Sequence, residues 1–161
     1  MPVSENSLKW VIRFYPPLFL QRIWVVKFDA GFKGVEVKVR KCFWNRNYND
    51  SIFGGTIFAA ADPFYAVLFH QIFIRKGYKI RAWAKSSDIK FLKPAFTDLT
   101  FKITISEDAI AEAEEILNTV GKYTKAHPIQ IFDKNGVNVA SVMNEIYMRN
   151  LNFIDDASSN E

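Results

Sequence analysis

Apolar and polar residues along this chain repeat with two periods, about 3.6 and 2.0, and the changes between them predict the elements. Ser7 to Tyr15 has helical spacing, which Pro16-Pro17 is expected to end. Ile23 to Phe28 is a β-branched and aromatic run that predicts a strand, followed by a turn over Asp29–Gly34. Val35, Val37 and Val39 alternate with Glu36, Lys38 and Arg40, and the pattern predicts a second strand reaching Phe43. Asn45 to Asp50 is a polar loop. Gly55 to Ile74 is apolar on every side and predicts one buried helix closed by Gly77. Lys79 to Lys93 predicts a long strand whose apolar phase switches near Ser86-Ser87, the mark of a bulge. Leu99, Phe101, Ile103 and Ile105 alternate with polar residues in a further strand. Ser106 caps a short amphipathic helix ended by Gly121. Tyr123–Phe132 and Val137–Arg149 predict a hairpin about Asp133–Gly136.

One helix that is apolar all round must be covered on several faces, and a strongly curved antiparallel sheet can do this alone. The expected class is therefore α+β, an antiparallel sheet wrapped around one long apolar central helix. At 161 residues the expectation is one domain, with residues 1–20 as an N-terminal helical segment and 150–161 as a flexible tail.

Composition changes this picture in few places. Fifteen Phe, six Tyr and four Trp imply a large core, an interface or an apolar ligand. Net charge is only +4, but seven basic residues fall between Arg75 and Lys93 against one acid, Asp88. Such a stretch suits a phosphate-bearing ligand or is a solvated face; without a recognition motif, nucleic acid ranks last. Cys42 is the only cysteine, and His70 and His127 are the only histidines, so no metal centre is expected. The N-terminus lacks signal-peptide character, which with the lone cysteine points to a cytoplasmic protein. The 24 residues between Asp50 and Arg75 are long enough to span a bilayer, but Asp62, Pro63 and Gly54-Gly55 argue against a span.

The same segment carries the candidate chemistry. Asp62 is its one charge, and burying a lone carboxylate is costly, so it must be paired, protonated or facing a wet cavity. The amides of Gly54 and Gly55, where the helix should begin, can face an oxyanion. Eight residues of helix separate Gly54 from Asp62, about 12 Å along the axis, so one carbonyl cannot reach both within one chain. Two antiparallel helices at a two-fold interface would unite them. The residues alone equally allow a tight Gly-Gly turn with Asp62 bonding locally beside Pro63. Lys85, Lys90 and Lys93 are candidates for phosphate contacts, and Phe58, Phe64 and Phe69 for an acyl tunnel or plain core.

Asn47, Gly54, Gly55 and Asp62 together resemble the signature of the hotdog thioesterase superfamily, in particular its phenylacetyl-CoA thioesterase-like branch. Phe53-Gly54-Gly55 with Ala61-Asp62-Pro63, Trp83-Ala-Lys85, Ile89–Pro94 and Asp98-Leu99 is similar to a less characterised hotdog family counted among the acyl-CoA thioesterases. The similarity runs from about Pro17 to Arg149. The resemblance implies the hotdog fold and hydrolysis of an acyl-CoA, with coenzyme A as part of the substrate and no separate cofactor. It implies Asp62 as general base or nucleophile, Gly54 and Gly55 as oxyanion donors, and Asn47 as an orienting group. Lys85, Lys93, Phe53 and Tyr65 are then substrate-binding candidates. It further implies a homodimer or a dimer of dimers. Two departures stand out: Phe53 replaces a histidine, and Ala66 replaces a hydroxyl for which Tyr65 would substitute. They leave a non-catalytic acyl-CoA or lipid-binding module as the alternative.

Overall fold

The structure, a computed structural model, describes residues 3–154. Two helices, α1 (Glu5–Arg13) and α2 (Pro16–Leu20), precede a hairpin of β1 (Ile23–Phe28) and β2 (Gly34–Val39). The central segment follows as α3 (Gly54–Ala61) and α4 (Phe64–Arg75), then β3 (Ile80–Phe91), β4 (Leu99–Thr104), α5 (Glu107–Thr119), β5 (Lys122–Asp133) and β6 (Asn138–Asn150). The six strands form one sheet in the order β1-β2-β4-β5-β6-β3, and every pairing is antiparallel. This is the expected hotdog arrangement, with the central helical segment on the concave side. Ala60, Phe64, Leu68, Phe69 and Phe73 are fully buried there. The Phe64 ring meets Phe101 edge-on at 6.1 Å, and Phe69 packs 5.9 Å from Tyr123.

Several boundaries differ from the sequence expectation, each for a local reason. Pro16-Pro17 does not merely stop α1; it starts α2, because proline suits the first helical turn. The second strand ends at Val39 rather than Phe43. There the buried Asn45 side chain donates to the carbonyls of Gln21 and Arg40, both at 2.8 Å, and accepts from the Cys42 amide, turning the chain out of the sheet. The single helix expected over Gly55–Ile74 is broken at Asp62-Pro63. Pro63 has no amide hydrogen for the preceding turn, and its ring crowds the carbonyl four residues back. The stretch is long and apolar enough to cross a bilayer, yet just over half of its most apolar window (56%) is buried in the protein, as in a core helix.

The phase switch in β3 is real. Ala84 faces Ile146 and Ser86 faces Glu145, which leaves Lys85 as the extra residue of a bulge. Gly77 and Gly121 close their helices at φ +91° and +75°, conformations that favour glycine. Of the expected tail, residues 155–161 lie outside the described region, while Leu151–Asn152 form a turn and the Phe153 ring packs over Gly121.

Candidate functional site

The two ends of α3 present different chemistry. At its start, Phe53 sits in the N-cap position but offers no side-chain acceptor. Its carbonyl takes the amides of Thr56 (2.9 Å) and Ile57 (3.3 Å). The amides of Gly54 and Gly55 have no acceptor among the described residues. They are the first two donors of a helix whose dipole is positive at this end. A Cβ on Gly54 would stand 3.0 Å from the Phe91 ring, and one on Gly55 would collide with the Phe53 ring. Phe53 itself is exposed and folds over Gly55 rather than filling a polar position.

The hollow beside Gly54 has a volume of about 390 Å³ and brings together Asn47, Ser51, Gly54, Phe91 and Lys93. Asn47 is held by its own loop. Its carbonyl oxygen accepts from the amides of Asn49 (2.9 Å) and Ser51 (3.2 Å), and its side-chain nitrogen donates to the Ser51 hydroxyl at 2.9 Å. Three of the expected residues, Asn47, Gly54 and Lys93, therefore share one cavity. Lys85 does not line it; it lies on the exposed bulge of β3 and pairs with Glu145 at 3.6 Å.

At the other end of α3, the Asp62 carboxylate accepts no hydrogen bond and has no cationic partner among the described residues. It opens on a separate hollow of about 330 Å³, walled by Ile12, Tyr15, Leu18, Ala59 and Val67. Solvent reaches the carboxylate, so it is less enclosed than the apolar sequence around it suggests. The greasy walls still remove part of its hydration, and its pKa is raised above the ordinary aspartate value by that desolvation. A proton acceptor with elevated basicity, standing bare in a cavity, is the expected character of a general base.

The break that carries Asp62 is held by a residue the sequence reading missed. Asn144 of β6 is completely buried; its side-chain nitrogen donates to the carbonyls of Ala61 (2.9 Å) and Asp62 (3.4 Å). Its oxygen accepts from the Ser87 hydroxyl of β3. The available signal was an asparagine inside a strand between Met143 and Glu145, at a position whose neighbours two away, Val142 and Ile146, face the core.

Tyr65 is not at the site. It is buried, donates its hydroxyl to the Pro128 carbonyl at 2.8 Å and stacks 4.8 Å from the His127 ring. Burial pushes its pKa up to about 12. It therefore cannot replace the hydroxyl missing at Ala66, and the substrate-binding role expected of it gives way to a structural one. His127 is likewise enclosed by aromatic rings, with its pKa lowered by desolvation. Phe64 and Phe69 are core, whereas Phe58 is partly exposed. Among the described residues no group of His, Cys, Asp and Glu could hold a metal.

A six-stranded antiparallel sheet around a broken apolar helix, with free glycine amides at one end of α3 and a bare aspartate at the other, defines a hotdog-fold protein. Residues 6–148 match the family described as a domain of unknown function, DUF4442, and the chain belongs to that family. No curated protein matches it. Among solved structures, a Pseudomonas aeruginosa protein described as a probable thioesterase is similar with a TM-score of 0.79 at 17% identity, covering 93% of this chain and 98% of that one. A Chlorobaculum tepidum protein of unknown function matches with a TM-score of 0.75 at 10% identity, covering 92% and 98%. The E. coli PaaI protein from the phenylacetic acid degradation operon matches with a TM-score of 0.63 at 19% identity, covering 91% of each chain.

Proposed function

We propose that this protein hydrolyses acyl-CoA thioesters at a site shared between two copies of the chain. The observation that carries the reading is the pair of bare ends on α3: two unbonded glycine amides, of which Gly54 lines one cavity, and an unpaired carboxylate of raised pKa opening on another. In this mechanism Asp62 takes a proton from the water that attacks the thioester carbonyl, or attacks it directly to give a mixed anhydride that water then hydrolyses; the Gly54 and Gly55 amides receive the charge that develops on the thioester oxygen, the C–S bond breaks, and coenzyme A leaves as its thiol with a proton from water, giving the free acid. Similarity to proteins described as thioesterases supports the reaction class.

Edge strand β3 offers a physical route to the shared site. Beyond β6 it pairs with no other strand among the described residues. Ser87 is level with the Asp62 break through Asn144, and Phe91 is level with Gly54. Four residues of strand rise about 13 Å, matching the length of helix between Asp62 and Gly54. A two-fold axis at Ile89 would set Ser87 against the second copy's Phe91, and so Asp62 against the second copy's glycine amides. The same register puts Asp88 opposite Lys90, a favourable cross-strand pair. It also draws Lys85 of one copy towards Lys93 of the other, where the phosphates of coenzyme A would find both.

The test is release of free thiol from a panel of acyl-CoAs by wild type and by Asp62→Ala. Hydrolysis that falls by about 10²–10⁴ in the variant, with binding retained, supports the base role. Equal rates in the two proteins would refute it. Phe53 and Ala66 favour a second reading, an acyl-CoA or lipid-binding module, for which tight binding without thiol release is the expected result.

A further inference from the structure

We infer that the N-terminal helical pair and the Phe43–Trp44 turn together form a docking face for an anionic lipid bilayer surface. The inference stands apart from the hydrolase reading and does not depend on it. The face is a continuous tract of rings. Trp10 stacks on Phe14 at 6.1 Å, Phe14 lies 6.1 Å from Phe19, and Phe19 and Leu20 share a hollow of about 390 Å³ with Trp44. Trp44 in turn meets Phe43 at 5.6 Å. These side chains are left in water: Phe14 is 64% exposed, Leu20 67%, Phe43 71% and Trp44 78%. α1 buries no residue completely, although it carries Trp10 and Val11 and is capped by Phe14. An apolar tract of this continuity marks a contact surface.

Cations flank the tract. Lys9 lies 5.6 Å from the Trp10 ring, and Arg13 lies between Trp10 (5.2 Å) and Trp24 (4.6 Å). Arg40 covers Trp24 at 4.9 Å, and Arg22 lines the hollow beside Trp44. None of these four cations has a carboxylate partner among the described residues. Of the nearby acids, Glu5 is occupied by Arg75 and Asp50 by Lys41 and Arg46, while Asp62 opens on the separate hollow lined by Ile12, Tyr15 and Leu18 and pairs with none of these four cations. Exposed Trp, Phe and Leu beside unneutralised Lys and Arg suit the boundary between acyl chains and anionic headgroups. Helices of nine and five residues lie on a bilayer and cannot cross it. A second copy fits less well, because it would bring like charges together. The helical pair packs beside β1, the far edge of the sheet from β3, so pairing through β3 uses a different edge.

The test uses the whole chain with phosphatidylcholine vesicles made with and without phosphatidylserine. Co-sedimentation only with the phosphatidylserine vesicles, weakening as salt is raised, is the expected result. Lys9→Ser with Arg22→Asn should lower partitioning by about fivefold per cation removed. Asn tolerates the left-handed backbone at position 22, where φ is +58°. Leu20→Ser with Trp44→Ser removes only exposed side chains and should abolish binding while leaving the melting temperature unchanged. Three results would overturn the inference. One is partitioning that is equal for the variants and wild type. A second is retention on nucleic acid with no vesicle binding. The third is a smaller assembly for Leu20→Ser/Trp44→Ser on size exclusion, which would give the face to a second copy.

Discussion

Replacing Asn144 by alanine tests whether the break in the central helix is an engineered support for Asp62 or an incidental kink. The side chain makes two firm hydrogen bonds, to the Ala61 carbonyl at 2.9 Å and from the Ser87 hydroxyl, and a longer one to Asp62 at 3.4 Å. Each firm bond contributes about 1 kcal/mol net, and leaving a buried carbonyl unpaired costs about 1–3 kcal/mol more. The sum is about 3–5 kcal/mol. For a chain of this size that lowers the melting temperature by roughly 10 °C. Thermal unfolding at one fixed protein concentration measures it, since assembly would otherwise shift the midpoint. Ser87→Ala removes one bond and should cost about 1 kcal/mol. The double variant should fall short of the sum, because both residues share that bond. Assayed well below its melting temperature, Asn144→Ala should lose kcat more than KM, since the carboxylate is displaced while the glycine end of α3 is not touched. A melting point within about 2 °C of wild type, or unchanged kcat, would refute the idea that this asparagine fixes the base.

Other expectations follow from the same geometry. Mixing Asp62→Ala with Gly54→Val, each inactive alone, should restore about a quarter of wild-type hydrolysis, because half of all pairs are mixed and each mixed pair carries one intact site of two; no recovery after subunit exchange would place both groups in one chain. Asp88→Lys should weaken self-association seen by analytical ultracentrifugation, and adding Lys90→Asp should restore it if those residues face each other across the two-fold. The acid limb of the pH–rate profile should lie above the ordinary aspartate range, because desolvation raises the Asp62 pKa and activity needs the ionised form. Tyr65→Phe should cost about 1 kcal/mol of stability through its lost bond to Pro128 and leave hydrolysis unchanged.

The fold was readable because its demand is local. Alternation in β2, β4 and β6 marks which face is wet, and a helix without a polar side has to be wrapped. The bulge at Lys85 was visible as a phase change for the same reason. The end of β2 was not, because it is set by Asn45 reaching carbonyls five and twenty-four residues away. Within the site, glycines before a helix and one acid in an apolar run were legible as an imbalance between residue type and surroundings. Tyr65 was misplaced because periodicity does not tell which side of a fully apolar helix faces the core. Asn144 was missed because its partners lie 57 to 83 residues away.

Asp62 also shows why the site sits where the helix is weakest. A carboxylate whose pKa is raised in the folded chain costs stability above that pKa, and the cost disappears once both folded and unfolded forms are protonated at low pH. Asp62→Asn should therefore stabilise the protein at neutral pH while removing its base, the opposite of what a structural aspartate would do. No histidine is placed to share the proton, since His127 is enclosed by aromatic rings and His70 lies two turns further along α4. In the proposed reaction proton transfer would therefore fall to this one carboxylate, and the fold tolerates the bare charge because solvent reaches it at the break before Pro63. A neutral-pH melting point that drops on Asp62→Asn would mean that the carboxylate has a stabilising partner in solution, and a base held in such a pair could not serve the reaction.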